Sequence, residues 1–177
     1  MNEKVFLEGL PGIGKTTIIN IIKSMKLTNI YTVDEIINPD IINNVILNEE
    51  TFLKNEEMKL NKFLKGKVIF DRGPISVLAY SQVKHIINTN YNSIKTIEWF
   101  EKNMKSFTID AKIVFLTNVG KEYSITVDDC LSPYGSIENQ KLLEAVSLYN
   151  CKKYFEKVVI KEYYKENMEE IINEIIN

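Results

Sequence analysis

Ten residues near the N-terminus, Glu8-Gly9-Leu10-Pro11-Gly12-Ile13-Gly14-Lys15-Thr16-Thr17, constrain this chain more than any other stretch. They fit G-x-x-x-x-G-K-[ST] at every fixed position. The apolar run Val5-Phe6-Leu7 before them reads as a buried strand, and Ile18, Ile19, Ile21 and Ile22 after them fall at helical spacing. Strand, glycine-rich loop and helix in that order are the setting the pattern requires. Gly9, Gly12 and Gly14 allow backbone angles that a Cβ opposes, so the N–H groups of the loop can turn inward. Together with the helix N-terminus they make an anion site suited to the phosphates of a nucleotide, with Pro11, Ile13 and Thr17 in the same cradle. Lys15 is placed to reach the β- and γ-phosphates, and the Thr16 hydroxyl to ligate Mg²⁺. The competing reading is a plain glycine-rich turn.

The length of 177 residues fits one domain over 1–177 with a sizeable core. A net charge of −2 argues against a nucleic-acid polymer or a membrane surface as partner. No run approaches transmembrane length, and the N-terminus lacks a signal-peptide pattern. Cys130 and Cys151 have no metal-type spacing and suit a reduced compartment, so a cytoplasmic protein is expected. His85 is the only histidine, which all but removes a histidine-based metal site or triad, and Arg72 is the only arginine.

Strands are expected at 4–8, 30–35, 67–71, 111–117 and 157–164, and helices at 15–25, 40–47, 50–64, 75–87, 93–106, 137–155 and 167–176. Pro39 reads as a break, and Gly66 as the stop of the 50–64 helix. That helix offers Phe52, Leu53, Met58, Leu60 and Phe63 for one broad apolar face. Five strands, nearly all of them continuous apolar runs, alternate with helices and make a doubly wound α/β fold with a parallel sheet and helices on both faces. Ligands bind such sheets beyond the carboxyl ends of the strands. The loop, Asp34 and Glu35, Asp71 and Arg72, and the segment after Thr117 all lie there and converge on one cleft.

Asp71, ending an apolar strand, is the candidate to position Mg²⁺ with Thr16; the alternative is a helix cap. Arg72 can neutralise phosphate charge or sit in a surface ion pair. Glu35 is the candidate base for an acceptor hydroxyl, against an N-cap or a solvated strand end. Asp34 should point to the other face of the sheet. Residues 118–136 are polar and irregular and form a candidate lid whose single cation, Lys121, can reach the phosphates; a plain surface loop explains them too. Tyr80 is chosen among Tyr31, Tyr80, Tyr91, Trp99 and Phe100 to line the acceptor site. Glu56 and Lys59 could face that pocket or lie on a solvated helix face.

With these residues in view, the chain resembles the thymidylate and deoxynucleoside kinases among the P-loop kinases. The resemblance rests on the loop, on Glu35, and on Val68-Ile69-Phe70-Asp71-Arg72-Gly73-Pro74-Ile75-Ser76-Val77-Leu78-Ala79-Tyr80. It implies a P-loop NTPase fold with sheet order 2-3-1-4-5, MgATP as donor, a small-molecule acceptor and, in many relatives, a dimer; the apolar 75–87 helix could supply that contact. The lid and the helix before the Asp-Arg strand lack the arginines of the family, Ile36 replaces a proline, and Asp34 stands where thymidylate kinases commonly have an arginine. An acid there favours a neutral hydroxyl-bearing acceptor over a monophosphate. The expected function is transfer of the ATP γ-phosphate to a nucleoside, a nucleoside monophosphate or a related hydroxyl. The alternative is a nucleotide-binding switch with no acceptor.

Overall fold

The computed structural model describes residues 3–44, 48–62, 66–117 and 131–177. β1 (Glu3–Gly9), β2 (Ile30–Val33), β3 (Lys67–Asp71), β4 (Ala111–Thr117) and β5 (Lys157–Glu162) form a five-stranded parallel sheet in the order β2-β3-β1-β4-β5. The helices are α1 (Lys15–Ser24), α2 (Pro39–Ile42), α3 (Glu49–Leu60), α4 (Pro74–Ile87), α5 (Ile94–Thr108), α6 (Ile137–Tyr154) and α7 (Met168–Ile176). The expected doubly wound fold and strand order are both present.

Alternation along the strands builds the layers. Val5 and Leu7 pack with Ile69, Val114 and Leu116 against isoleucines of α1 and α7. Phe6, Val68, Phe70, Ile113 and Phe115 face the other way, onto Ile75 and Leu78 of α4, Phe100 and Phe107 of α5, and Cys151 of α6. Burying each such side chain is worth ~1.5–3 kcal/mol, and a one-residue slip would exchange the two sets, so register is firmly specified. That register sets Leu7 beside Asp71, Gly9 beside Leu116 and Val33 beside Phe70. The segments leaving β1, β2 and β3 therefore emerge side by side.

Several element ends differ from the sequence reading. β2 stops at Val33: Asp34 pairs with Lys23 of α1 at 2.5 Å, and the Glu35 carbonyl accepts Asn55 Nδ2 at 2.9 Å instead of extending the ladder. Pro39 does not break the chain but opens α2 behind an Asn38 cap, a position its fixed φ suits. The helix expected over 40–47 ends at Ile42, and 45–47 lie outside the described residues. α3 ends at Leu60, so Gly66 is not its stop; Gly66 takes φ 123° beside the Asn29 carbonyl, and 63–65 lie outside the described residues. β5 ends at Glu162 because Tyr163 turns into the layer between sheet and α1. A 3₁₀ turn, Lys165–Asn167, precedes α7. Ile75, Leu78, Ala79 and Val83 of α4 are buried within this chain, leaving Ile86 as its exposed large apolar residue. No helix among the described residues is long and apolar enough to cross a membrane.

Candidate functional site

Gly9, Gly12 and Gly14 have φ of 135°, 75° and 106°, the left-handed region that the sequence reading required. Space fixes two of them as well. A Cβ on Gly9 would lie 2.5 Å from the Leu116 carbonyl oxygen, and one on Gly14 2.7 Å from the Tyr163 ring. Leu10 and Ile13 are buried and anchor the loop, Pro11 is half-buried, and Gly12, Thr16 and Thr17 face solvent. Gly14 is the N-cap of α1 and makes no side-chain cap, which leaves the first turn facing the loop without one.

Lys15 Nζ donates to the carbonyls of Gly9 at 2.9 Å and Leu10 at 2.6 Å. Burial, with Arg72 nearby, pulls its pKa down to about 7, against Glu35, Glu8 and Asp71. Thr16 Oγ1 donates to Asp71 Oδ2 at 2.8 Å, while Asp71 Oδ1 is buried with no hydrogen-bond partner among the described residues. Gly73, not Asp71, is the N-cap of α4, so the capping alternative for Asp71 falls. A bare carboxylate oxygen beside a hydroxyl suits a hard divalent cation. No group of three or more His, Cys, Asp or Glu that could hold a metal occurs among the described residues, so phosphate and water oxygens would complete its shell.

Across the cleft, Arg72 Nε lies 2.9 Å from Glu35 Oε1, with the side chains 13% and 41% exposed. The N–H is not aligned as a hydrogen bond, so this is a charge contact. Asn38 caps α2, which removes the N-cap alternative for Glu35, and the low exposure of Arg72 removes a surface pair. Arg72 itself sits at φ 60°, a conformation costing roughly 1–2 kcal/mol for a residue with a Cβ. Asp34 is paired with Lys23 of α1, whose ammonium offsets the charge on which the expected repulsion of a monophosphate rests.

Two features escaped the sequence reading, and a third was left open in it. Glu8 is 1% exposed; Oε1 accepts from Gly73 N at 2.8 Å and Oε2 from Ser76 Oγ at 2.5 Å, tying β1 to the start of α4. Burial pushes its pKa up to about 7, against these two bonds, Arg72 and Lys59. Tyr134, in the described end of the candidate lid, lines the same small space as Arg72, and its ring lies 5.4 Å from that of Tyr80. A tyrosine in Ser-Pro-Tyr-Gly just before a helix was the available signal. The space between Gly9, Pro11, Arg72, Ser76 and Tyr134 is only about 10 Å³. Third, the face of α3 turned inward carries Asn55, Glu56 and Lys59, at 1%, 4% and 1% exposure. Of the two readings left open for Glu56 and Lys59, the solvated face therefore falls and an inward face stands, and of the expected apolar face only Leu53 is buried among the described residues.

Lys121 and residues 118–130 of the candidate lid lie outside the described residues. Phe100 is core, and Trp99 Nε1 donates to Glu57 at 2.7 Å. A cavity of about 630 Å³ opens at the opposite end of the strands, against Lys4, Val68, Phe107 and Asp110, and none of the predicted site residues lines it.

No family model and no curated protein matches the chain in sequence. Solved structures do match in shape. Thymidylate kinase from Candida albicans superposes with TM-score 0.62 at 16% identity, over 98% of this chain and 88% of that one. Thymidylate kinase from Ehrlichia chaffeensis gives 0.60 at 16%, over 99% and 97%. Deoxyadenosine kinase from M. mycoides, solved with bound dCTP, gives 0.60 at 18%, over 97% of each chain. The chain thus has the P-loop fold shared by thymidylate and deoxynucleoside kinases.

Proposed function

We propose that this protein is an ATP-dependent phosphotransferase that moves the γ-phosphate of MgATP to a hydroxyl of a nucleoside, a nucleoside monophosphate or a related small molecule. One observation carries the reading: two contacts, Thr16 with Asp71 and Glu35 with Arg72, join residues far apart in sequence at the mouth of one glycine loop. The kinase-type fold supports it.

In this reading the loop N–H groups and Lys15 hold the β- and γ-phosphates, Lys15 exchanging the Gly9 and Leu10 carbonyls for phosphate oxygens. Thr16 and Asp71 would hold Mg²⁺, which supplies charge neutralisation on the transferring group when bound. Glu35 takes the proton of the acceptor hydroxyl on its carboxylate, and Arg72 beside it faces the charge that builds on the phosphoryl oxygens. Tyr80 and Tyr134, their rings 5.4 Å apart, flank the acceptor.

The absence of arginine from 118–136 favours a second reading, a nucleotide-binding switch with no acceptor. ADP release from MgATP, measured against nucleosides, nucleoside monophosphates and small hydroxyl metabolites, separates the two. Release that depends on one acceptor class is the expected result. Silence across the panel, with MgATP still bound, would leave the switch.

A further inference from the structure

A helix packed over a sheet normally turns an apolar stripe inward, yet α3 turns in Asn55, Glu56 and Lys59. Their contacts run to the two chain segments that carry Glu35 and Arg72. Asn55 Nδ2 donates to the Glu35 carbonyl at 2.9 Å and to Glu56 Oε1 at 3.2 Å. Its Oδ1 accepts from Ile37 N at 2.8 Å and Asn38 N at 3.0 Å. Lys59 Nζ donates to Glu56 Oε1 at 3.1 Å, to the Arg72 carbonyl at 2.9 Å and, more weakly, to the Asp71 carbonyl at 3.4 Å. All three donors of the ammonium are directed at protein oxygens.

Stability is a poor explanation for such a face, since an apolar pair of similar volume in place of a buried ion pair is often neutral or better. Position explains more. Glu35 lies past the end of β2 with no ladder to fix it, and Arg72 is held at φ 60° without the freedom of glycine. Both need outside restraint, and α3 supplies it to each.

We propose that Asn55, Glu56 and Lys59 are positioning residues: Lys59 holds the carbonyls at Asp71 and Arg72, Asn55 holds the backbone from Glu35 to Asn38, and together they set the Glu35–Arg72 contact. The catalytic purpose of that contact rests on the phosphotransfer reading, but its geometry can be measured without turnover. Because Arg72 is the only arginine, protein labelled with ¹⁵N-arginine gives one Nε–H signal. In the wild type that proton makes no hydrogen bond but is buried, so it exchanges more slowly than in free arginine; exchange as fast as in free arginine overturns the proposal at once.

Lys59→Met alone strands Glu56 as an unpaired buried carboxylate and is open to misfolding. Glu56→Gln with Lys59→Met removes both charges at similar volume and is the deciding variant. It should fold and bind MgATP within about threefold of wild type, while Arg72 Nε–H exchange quickens at least about tenfold and the signal shifts. Given an acceptor, kcat should fall at least about tenfold with KM for MgATP unmoved. Lys54→Ala, on the exposed side of α3, leaves the signal in place. An unmoved Arg72 signal in the folded double variant overturns the proposal. A wild type with no turnover on any acceptor removes the phosphotransfer reading instead, and the Arg72 signal still decides the positioning.

Discussion

Around the loop that joins β1 to α1, position is set by backbone. Gly9 and Gly14 are pressed against Leu116 and Tyr163, and Lys15 is held by two carbonyls. Around the corner that joins β3 to α4, position is set by side chains drawn from many places: Glu8, Glu35, Asn55 and Lys59. A backbone cradle tolerates almost no change, and it recognises only what all nucleoside triphosphates share. A side-chain corner can be altered one residue at a time while the cradle stays intact. On the proposed function, choice of acceptor is therefore open to drift while choice of donor is not.

Damage to the cradle should be all-or-none. Gly9→Ala drives a Cβ into a strand carbonyl at 2.5 Å and at φ 135°, so a loss of ~3 kcal/mol or more is expected, with MgATP binding abolished. Thermal melting and calorimetric titration test this, and near-normal binding would break the comparison. Asp71→Asn keeps the shape but removes the charge proposed for Mg²⁺. Turnover should fall by ~100-fold, and the gain in ATP affinity on adding Mg²⁺ should vanish; a retained gain would remove Asp71 from the site.

The corner should respond by degrees. Glu35→Gln is expected to lower turnover at least ~tenfold on a hydroxyl acceptor while MgATP affinity stays level. An unchanged rate would point to an acceptor that arrives already ionised. The smallest effect is a proton count. With its pKa near 7, Lys15 is largely neutral in the free protein at pH 8, and a bound triphosphate restores its charge. Binding at pH 8 should therefore take up a fraction of a proton, and below pH 6 the uptake should disappear. Titrations in buffers of different ionisation enthalpy read this directly, and proton release at pH 8 would contradict it.

The cradle was legible in the sequence because its determinants lie within a few residues of one another: three glycines, a lysine and a threonine between an apolar run and a helix. Asp71 and Arg72 were legible as the end of a buried strand. The inward face of α3 was legible only in part, with Glu56 and Lys59 open to either side and Asn55 missed, because apolar spacing assumes that polar residues prefer water. Asn55 and Lys59 break that assumption by meeting backbone carbonyls that only the folded chain brings near. Tyr134 and Glu8 were missed for the same reason, their neighbours Arg72 and Gly73 lying 62 and 65 positions away.

The contact of Gly14 with Tyr163 has a consequence for the order of events in synthesis. The loop is made well before the ring against it, which comes from just beyond the fifth strand, and β1 is sandwiched between β3 and β4. On the ribosome the complete motif therefore hangs unsupported until β5 has emerged. A nascent chain arrested before residue 157 should hold no nucleotide, and arrest points moved stepwise beyond Tyr163 should reveal where binding first switches on.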